Sequence, residues 1–153
     1  TMPLSRGGPH IRIFGVRDGM FKPVTLGLMA YHERFRGGNT LGSGNVNNDQ
    51  PDEIITGVKS RGGPHIQIFG RTRYGVVGLI SPGWFAYDPQ FRGGIVTTAA
   101  DANYDGIDEI VTGIFSGGSP LIRIFDVTGS RIINEFYAFP EEFTGGIRIA
   151  AGQ

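Results

Sequence analysis

One eight-residue pattern returns along this chain and decides how it can fold. It reads Gly7-Gly8-Pro9-His10-Ile11-Arg12-Ile13-Phe14, and 55 residues later Gly62-Gly63-Pro64-His65-Ile66-Gln67-Ile68-Phe69. A third version, with one residue inserted, runs Gly117-Gly118-Ser119-Pro120-Leu121-Ile122-Arg123-Ile124-Phe125. A period of this length means repeated units, each burying its apolar face against the next. A residue type present in every copy is read as structural, and a departure from the pattern draws attention.

A second cassette follows the first. It appears as Ala30-Tyr31-His32-Glu33-Arg34-Phe35-Arg36-Gly37-Gly38, as Ala86-Tyr87-Asp88-Pro89-Gln90-Phe91-Arg92-Gly93-Gly94, and as Ala138-Phe139-Pro140-Glu141-Glu142-Phe143-Thr144-Gly145-Gly146. Between the cassettes lie short runs rich in Ile, Val, Phe and Thr, with Ile11, Ile13 and Ile66, Ile68 alternating around Arg12 and Gln67. That alternation has the period of a strand, and no stretch of helical length carries an apolar stripe. The chain reads as all-β. The clearest unit holds four strands, at about Ile95–Ala100, Glu109–Ile114, Leu121–Phe125 and Arg131–Phe139. Four-stranded antiparallel sheets repeated at this spacing predict a β-propeller, with a sandwich as the competitor that needs no such period.

The expected organisation is a single repeat array over 1–153 of about three blades. The first blade covers about 1–35 and lacks its first strand, the second about 36–91 and the third about 92–144, with 145–153 the first strand of a further blade. Thr1 aligns with Thr56 and Thr112 in a second strand, and the segment Ile147–Ala151 reads as a first strand. Three blades leave open sheet edges. The chain is therefore expected to be completed by itself, as a homodimer forming a ring of about six blades, or by further blades of a longer chain. The opening Thr1-Met2 suggests a processed or excised segment.

Composition narrows the function classes. Lys+Arg and Asp+Glu number 14 each, so no general electrostatic pull toward nucleic acid is expected. No apolar run reaches the length of a membrane-spanning helix. The absence of cysteine excludes disulfides and thiolate metal sites. Glycine, at 26 of 153 residues, falls in phased pairs between β-branched runs, which marks turns and not disorder.

The strongest chemical motif is Asp101-Ala102-Asn103-Tyr104-Asp105-Gly106-Ile107-Asp108-Glu109, between the first and second strands of a blade. Side-chain oxygens at positions 1, 3, 5 and 9 (Asp101, Asn103, Asp105 and Glu109), with the Ile107 carbonyl at position 7, suit a hard cation such as calcium. Glycine at position 6 allows the left-handed turn. The preceding copy, Asn45-Val46-Asn47-Asn48-Asp49-Gln50-Pro51-Asp52-Glu53, offers Asn45, Asn47, Asp49, the Pro51 carbonyl and Glu53. Over the four side-chain positions Asp49 and Glu53 give −2, whereas Asp101, Asp105 and Glu109 give −3. Gln50 in place of glycine is expected to cost about 1 kcal/mol of strain. The 101–109 loop is thus expected to bind Ca²⁺ more tightly than the 45–53 loop, with a structural role. The competing reading is an Asx-rich turn without metal.

These stretches, Gly44–Gly57 with Gly62–Phe69 and Ala100–Gly113 with Gly117–Phe125, resemble the FG-GAP/VCBS-type repeat of integrin-like β-propellers. The resemblance implies a propeller with calcium in the loops between first and second strands, an extracellular or cell-surface location, and use in adhesion or recognition. The chain departs from the family pattern at Asn45 and Gln50, and at Pro120-Leu121 where Pro-His stands elsewhere.

A meander places the acidic loops at one end of the sheets and the Gly-Gly-Pro-His loops at the other. That second end is expected to present Arg6, His10, Tyr31, Arg36, Arg61, His65, Tyr87, Asp88 and Arg92, residues able to stack on sugars and bond their hydroxyls. Arg61, His65, Tyr87, Asp88, Arg92 and the single Trp84 are the candidate contacts for a glycan or protein ligand. The competing reading packs Tyr31, Tyr87 and Phe139 between blades, with the arginines covering the glycine turns. No nucleophile elbow, phosphate loop or His-Glu-x-x-His occurs, so the chain is not read as an enzyme. The alternatives to a recognition module are a purely structural segment of a surface protein and a non-catalytic part of a polysaccharide-degrading enzyme.

Overall fold

A computed structural model describes residues 8–130 and 132–151. The described residues are all-β, with no helix and twelve strands in four antiparallel sheets. The first repeat unit contributes β1 (His10–Ile11), β2 (Phe14–Arg17), β3 (Met20–Pro23) and β4 (Leu28–Met29). Here β2 pairs with β3 through the turn Asp18-Gly19, where both residues have positive φ, as a two-residue hairpin turn demands. Strand β1 pairs with β4, and the Val24 amide bonds the Ile13 carbonyl between the two ladders.

Two complete four-stranded meanders follow. The second unit holds β5 (Asn39–Gly44), β6 (Glu53–Val58), β7 (His65–Arg71) and β8 (Val77–Phe85), in that spatial order. The third holds β9 (Ile95–Ala100), β10 (Glu109–Ile114), β11 (Leu121–Phe125) and β12 (Ile132–Tyr137). The first three strands of this unit coincide with the sequence expectation, and the fourth stops two residues earlier. Residues 147–151, expected as a strand, pair with no strand in the structure. The Ile147 amide bonds the Ile114 carbonyl at 3.0 Å, and among the described residues no strand continues a ladder beside it. Among the described residues the sheets close neither a barrel nor a ring. The expected placement of Thr1 in a second strand lies outside them.

The units pack side by side through apolar seams. One seam joins Ile11, Ala30 and Ile13 of the first unit to Ile54 and Phe69 of the second. The other joins Ile55, Ile66, Ile68 and Tyr87 to Ile95, Ile110 and Phe125 of the third. A third cluster gathers Val96, Ile122, Ile124 and Ile147. Strand β5 runs against β9 so closely that a Cβ on Gly42 would stand 2.8 Å from the Thr98 Cα.

The glycine pairs let the main chain pass close to itself at the corners. A Cβ on Gly37 or Gly93 would meet the Ser60 or Ser116 carbonyl oxygen at 1.8 Å. Gly94 and Gly146 have positive φ, and a Cβ on either would collide with the Lys59 or Phe115 carbonyl oxygen, at 1.7 and 1.8 Å. Main-chain bonds close the same corners, with Lys59 donating to the Gly38 carbonyl and Phe115 to the Gly94 carbonyl. One position breaks the pattern. Asn39 stands where the later units have Ile95 and Ile147, is fully buried, and bonds through neither its Oδ1 nor its Nδ2.

Candidate functional site

The two acidic loops sit at the same end of the sheets and touch. Each joins the first strand of a unit to the next strand, β5 to β6 and β9 to β10. The Asn45 amide donates to the Asp108 Oδ2 at 2.9 Å, and the Asp108 amide donates to the Asn45 carbonyl at 2.9 Å. Asp108 is buried by this clasp. Counting positions 1, 3, 5, 7 and 9 gives no role to position 8, so sequence reasoning missed it. The signal available was the acid before the glutamate in both copies, Asp52 and Asp108.

Within the 101–109 loop the oxygens are drawn together by the loop's own amides. Asp101 accepts from the Asp105 amide at 3.1 Å and from the Gly106 amide at 2.9 Å. Asn103 Oδ1 accepts from the Asp105 amide at 2.9 Å, and Asp105 Oδ1 from the Ile107 amide at 2.9 Å. Positive φ at Tyr104 and Gly106 permits this tight winding. Glu109 is buried and braces the loop, taking the Ala102 amide on one oxygen at 2.9 Å and the Asn103 Nδ2 on the other at 2.8 Å.

The 45–53 loop is an incomplete version. Asn47 Oδ1 accepts from the Asp49 amide at 2.9 Å, and Asn47 Nδ2 donates to Glu53 Oε1 at 3.0 Å. The Asn45 Oδ1 and the second oxygen of Glu53 are buried without a hydrogen-bond partner. Positive φ falls on Asn48 and not on Gln50, so the strain expected at Gln50 does not arise. Instead the Gln50–Pro51 peptide is cis, and Pro51 and Asp49 are exposed.

Burial acts on the glutamate that ends each loop. Burial, reinforced by the Asp49 charge, pushes the Glu53 carboxyl above its usual range. Burial does the same to Glu109, with Asp105 and Asp101 adding to it and the Ala102 amide opposing it. The ion pairs of the described residues, Lys22–Asp18 and Arg123–Glu135, lie elsewhere. A buried carboxylate is stabilised by hydrogen bonds, by a partner of opposite charge or by taking up a proton. No three His, Cys, Asp or Glu side chains among the described residues gather as a metal site. The oxygens gathered here are of mixed kind, with an amide oxygen beside the carboxylates. Asp101, Asn103 and Asp105 each retain acceptor capacity beyond the amides they hold, which fits a hard cation.

The opposite end is built differently from the expectation of open ligand contacts. The Tyr87 hydroxyl is buried and donates to the Leu121 carbonyl at 2.9 Å, beside the Thr112 hydroxyl at 3.1 Å. Burial pushes its pKa up to about 12. The Tyr31 hydroxyl bridges in the same way to the His65 carbonyl at 2.8 Å and Thr56 at 3.2 Å. Arg92 folds onto the Pro89 and Phe91 carbonyls at 2.6 and 3.0 Å, and Arg36 caps its own turn likewise through Glu33 and Phe35. Asp88 is exposed and accepts from the Gln90 amide at 2.7 Å. Trp84 packs 6.0 Å from Phe125, so close to Gly129 that a Cβ there would lie 2.0 Å from the indole. Arg61 is exposed with positive φ, and Arg6 lies outside the described residues.

His65 is half-buried between Tyr31 and Phe85, at 6.0 and 5.1 Å between ring centroids. Burial lowers its pKa below the ordinary 6.5. A histidine depressed in the folded state contributes stability that is present above its unfolded pKa and is lost as pH falls through the folded pKa. Thermal melts across this range are expected to show an acid-side loss that His65→Phe flattens. An unchanged pH profile in the variant would remove His65 as its source.

No protein-family model, curated protein or solved structure matches the chain.

Proposed function

We propose that this chain is a calcium-stabilised β-propeller segment that serves as an extracellular recognition or adhesion module, with no catalytic role. The observation that carries the reading is the pair of acidic loops, in contact at one end of adjacent sheets and holding buried glutamates that form no ion pair among the described residues. Asp101, Asn103 and Asp105, with the Ile107 carbonyl, would hold Ca²⁺ in the 101–109 loop, and Glu109 would brace them. Asn45, Asn47 and Asp49, with the Pro51 carbonyl and Glu53, form the weaker counterpart. The bound cation supplies charge neutralisation and crosslinks the loop, and its role is structural. The end that carries exposed Arg61 and Asp88 is the surface proposed for a glycan or protein ligand.

Calcium titration tests the reading. Calorimetry is expected to give a dissociation constant of about 10⁻⁴–10⁻³ M, the range of extracellular modules. At calcium a hundredfold above that constant the fold gains about 2.7 kcal/mol. Asp101→Ala is expected to abolish the tighter site, while Asn45→Ala leaves it in place. Absence of both heat and thermal shift at saturating calcium would overturn the calcium reading. A glycan array with product analysis tests recognition, where binding without turnover is the expected result.

A further inference from the structure

The two seams between units are not filled alike. Trp84 belongs to the second seam, where it packs with Ile68, Ile80, Ile110 and Phe125 in one cluster. Its ring lies 6.0 Å from that of Phe125, and a Cβ on Gly129 would stand 2.0 Å from the indole. In the first unit Leu28 holds the place of Trp84. The glycine before each fixes the equivalence. Gly27 and Gly83 both have positive φ, donate to the Thr25 or Ser81 hydroxyl, and stand against His10 or His65.

Leucine carries no ring, and the first seam has a hollow of about 380 Å³ walled by Ile13, Val24, Ile54, Phe69, Gly75 and Val77. Ile13, Val24, Ile54 and Phe69 hold the places of Ile68, Ile80, Ile110 and Phe125, the neighbours of Trp84. Gly75 holds that of Gly129, each amide closing its turn on the carbonyl three residues back. Exposure follows the filling. Ile68 and Ile110 have no exposed surface, whereas Ile13 and Ile54 are half-buried and Val24 is 56% exposed. The Trp84 Nε1 is buried without a hydrogen-bond partner, so these surroundings select a ring by shape and not by its N–H. Polar selection falls to the rim of the hollow, where Asp52 and Arg71 lie. Neither takes part in an ion pair of the described residues.

We infer that this hollow binds a free aromatic amino acid of tryptophan's shape, its ring against Phe69 and its charged groups at the rim. The chain itself argues for this occupant, because it fills the same surroundings with an indole one unit later. The volume lies in the range of small-molecule sites, about 300–1,000 Å³, which favours a free molecule over a protein partner. An ammonium and a carboxylate beside the ring complement Asp52 and Arg71 together. The site lies between two units that the chain joins, apart from the end that carries Arg61 and Asp88. It needs neither calcium nor a ligand at that end.

Calorimetry of the unaltered chain with indole and with tryptophan, in the presence of a calcium chelator, tests the inference. Indole is expected to bind with a dissociation constant of about 10⁻³ M, and tryptophan about fivefold more tightly. Arg71→Met is expected to remove that gain and leave indole binding unchanged. Leu28→Trp fills the hollow from within and is expected to weaken both ligands about tenfold or more. Should that variant not fold, Val24→Phe narrows the hollow from its exposed wall, with the same expected loss. Amide resonances of Ile13, Ile54, Phe69 and Val77 are expected to shift on addition of indole. Neither heat nor shift with indole up to about 10⁻² M would overturn the inference, as would a Leu28→Trp chain that binds like the unaltered one. Shifts confined to the Gly-Gly-Pro-His end would overturn the location. Equal binding of indole and tryptophan would overturn the role of the rim. Because calcium is withheld, failure here is distinct from failure of the metal reading.

Discussion

Gly94→Ala is expected to destabilise the fold by about 2–5 kcal/mol, the sum of a left-handed backbone penalty and an overpacking cost. Gly94 has φ of 77°, and an added Cβ would lie 1.7 Å from the Lys59 carbonyl oxygen. That atom belongs to main chain at the corner where the second unit meets the third, and the Phe115 amide bonds the Gly94 carbonyl in the same corner. Nothing there can swing aside as a side chain would. Gly117 is the control, since its φ is 70° but no atom lies within 4 Å of an added Cβ. Gly117→Ala is expected to cost only the backbone part, about 1–2 kcal/mol. Urea unfolding of the two variants measures the difference, and equal losses would mean that the corner does not hold the units together.

Ile110→Ala is expected to cost about 2–5 kcal/mol, because it removes a fully buried side chain and leaves a cavity. Ile110 has no exposed surface and packs in the cluster that joins the second unit to the third. Ile132→Ala, at a side chain 45% exposed, is expected to change stability by about 0.5 kcal/mol or less. The form of the transition is as informative as its midpoint. Units that share a seam unfold together when the seam dominates each unit's own stability. Ile110→Ala is therefore expected to move a single transition downward. A split into two transitions would show that the second and third units are stable apart.

The regular strands were legible in the sequence because alternation along one strand is a local signal. β11 alternates Ile122 and Ile124 around Arg123, and β9 and β10 are short β-branched runs bounded by turn residues. What failed depended on neighbours. Residues 147–151 carry a strand-like sequence, but a strand needs a partner, and none among the described residues forms a ladder with them. Asn39 reads as an ordinary polar strand residue, yet its position in the repeat buries it beside an apolar seam. The oxygens of the 101–109 loop could be read from their spacing, because the loop's own amides gather them. The partner of Asp108 could not, since Asn45 lies 63 residues away. The arginines of the second cassette could be read either as ligand contacts or as covers of their turns, and Arg36 and Arg92 each bond carbonyls within three residues.

The corners between units are closed by main-chain atoms and glycine hydrogens, and this has a consequence for how such an array can vary. The residues between the aromatic and glycine ends of the connection differ freely, as His32-Glu33-Arg34, Asp88-Pro89-Gln90 and Pro140-Glu141-Glu142. Their side chains are exposed in all three versions. Pitch is held by groups that every amino acid carries, while display is left to groups that distinguish one amino acid from another. The same scaffold can therefore change the chemistry of its rim without altering the angle at which one sheet follows the next.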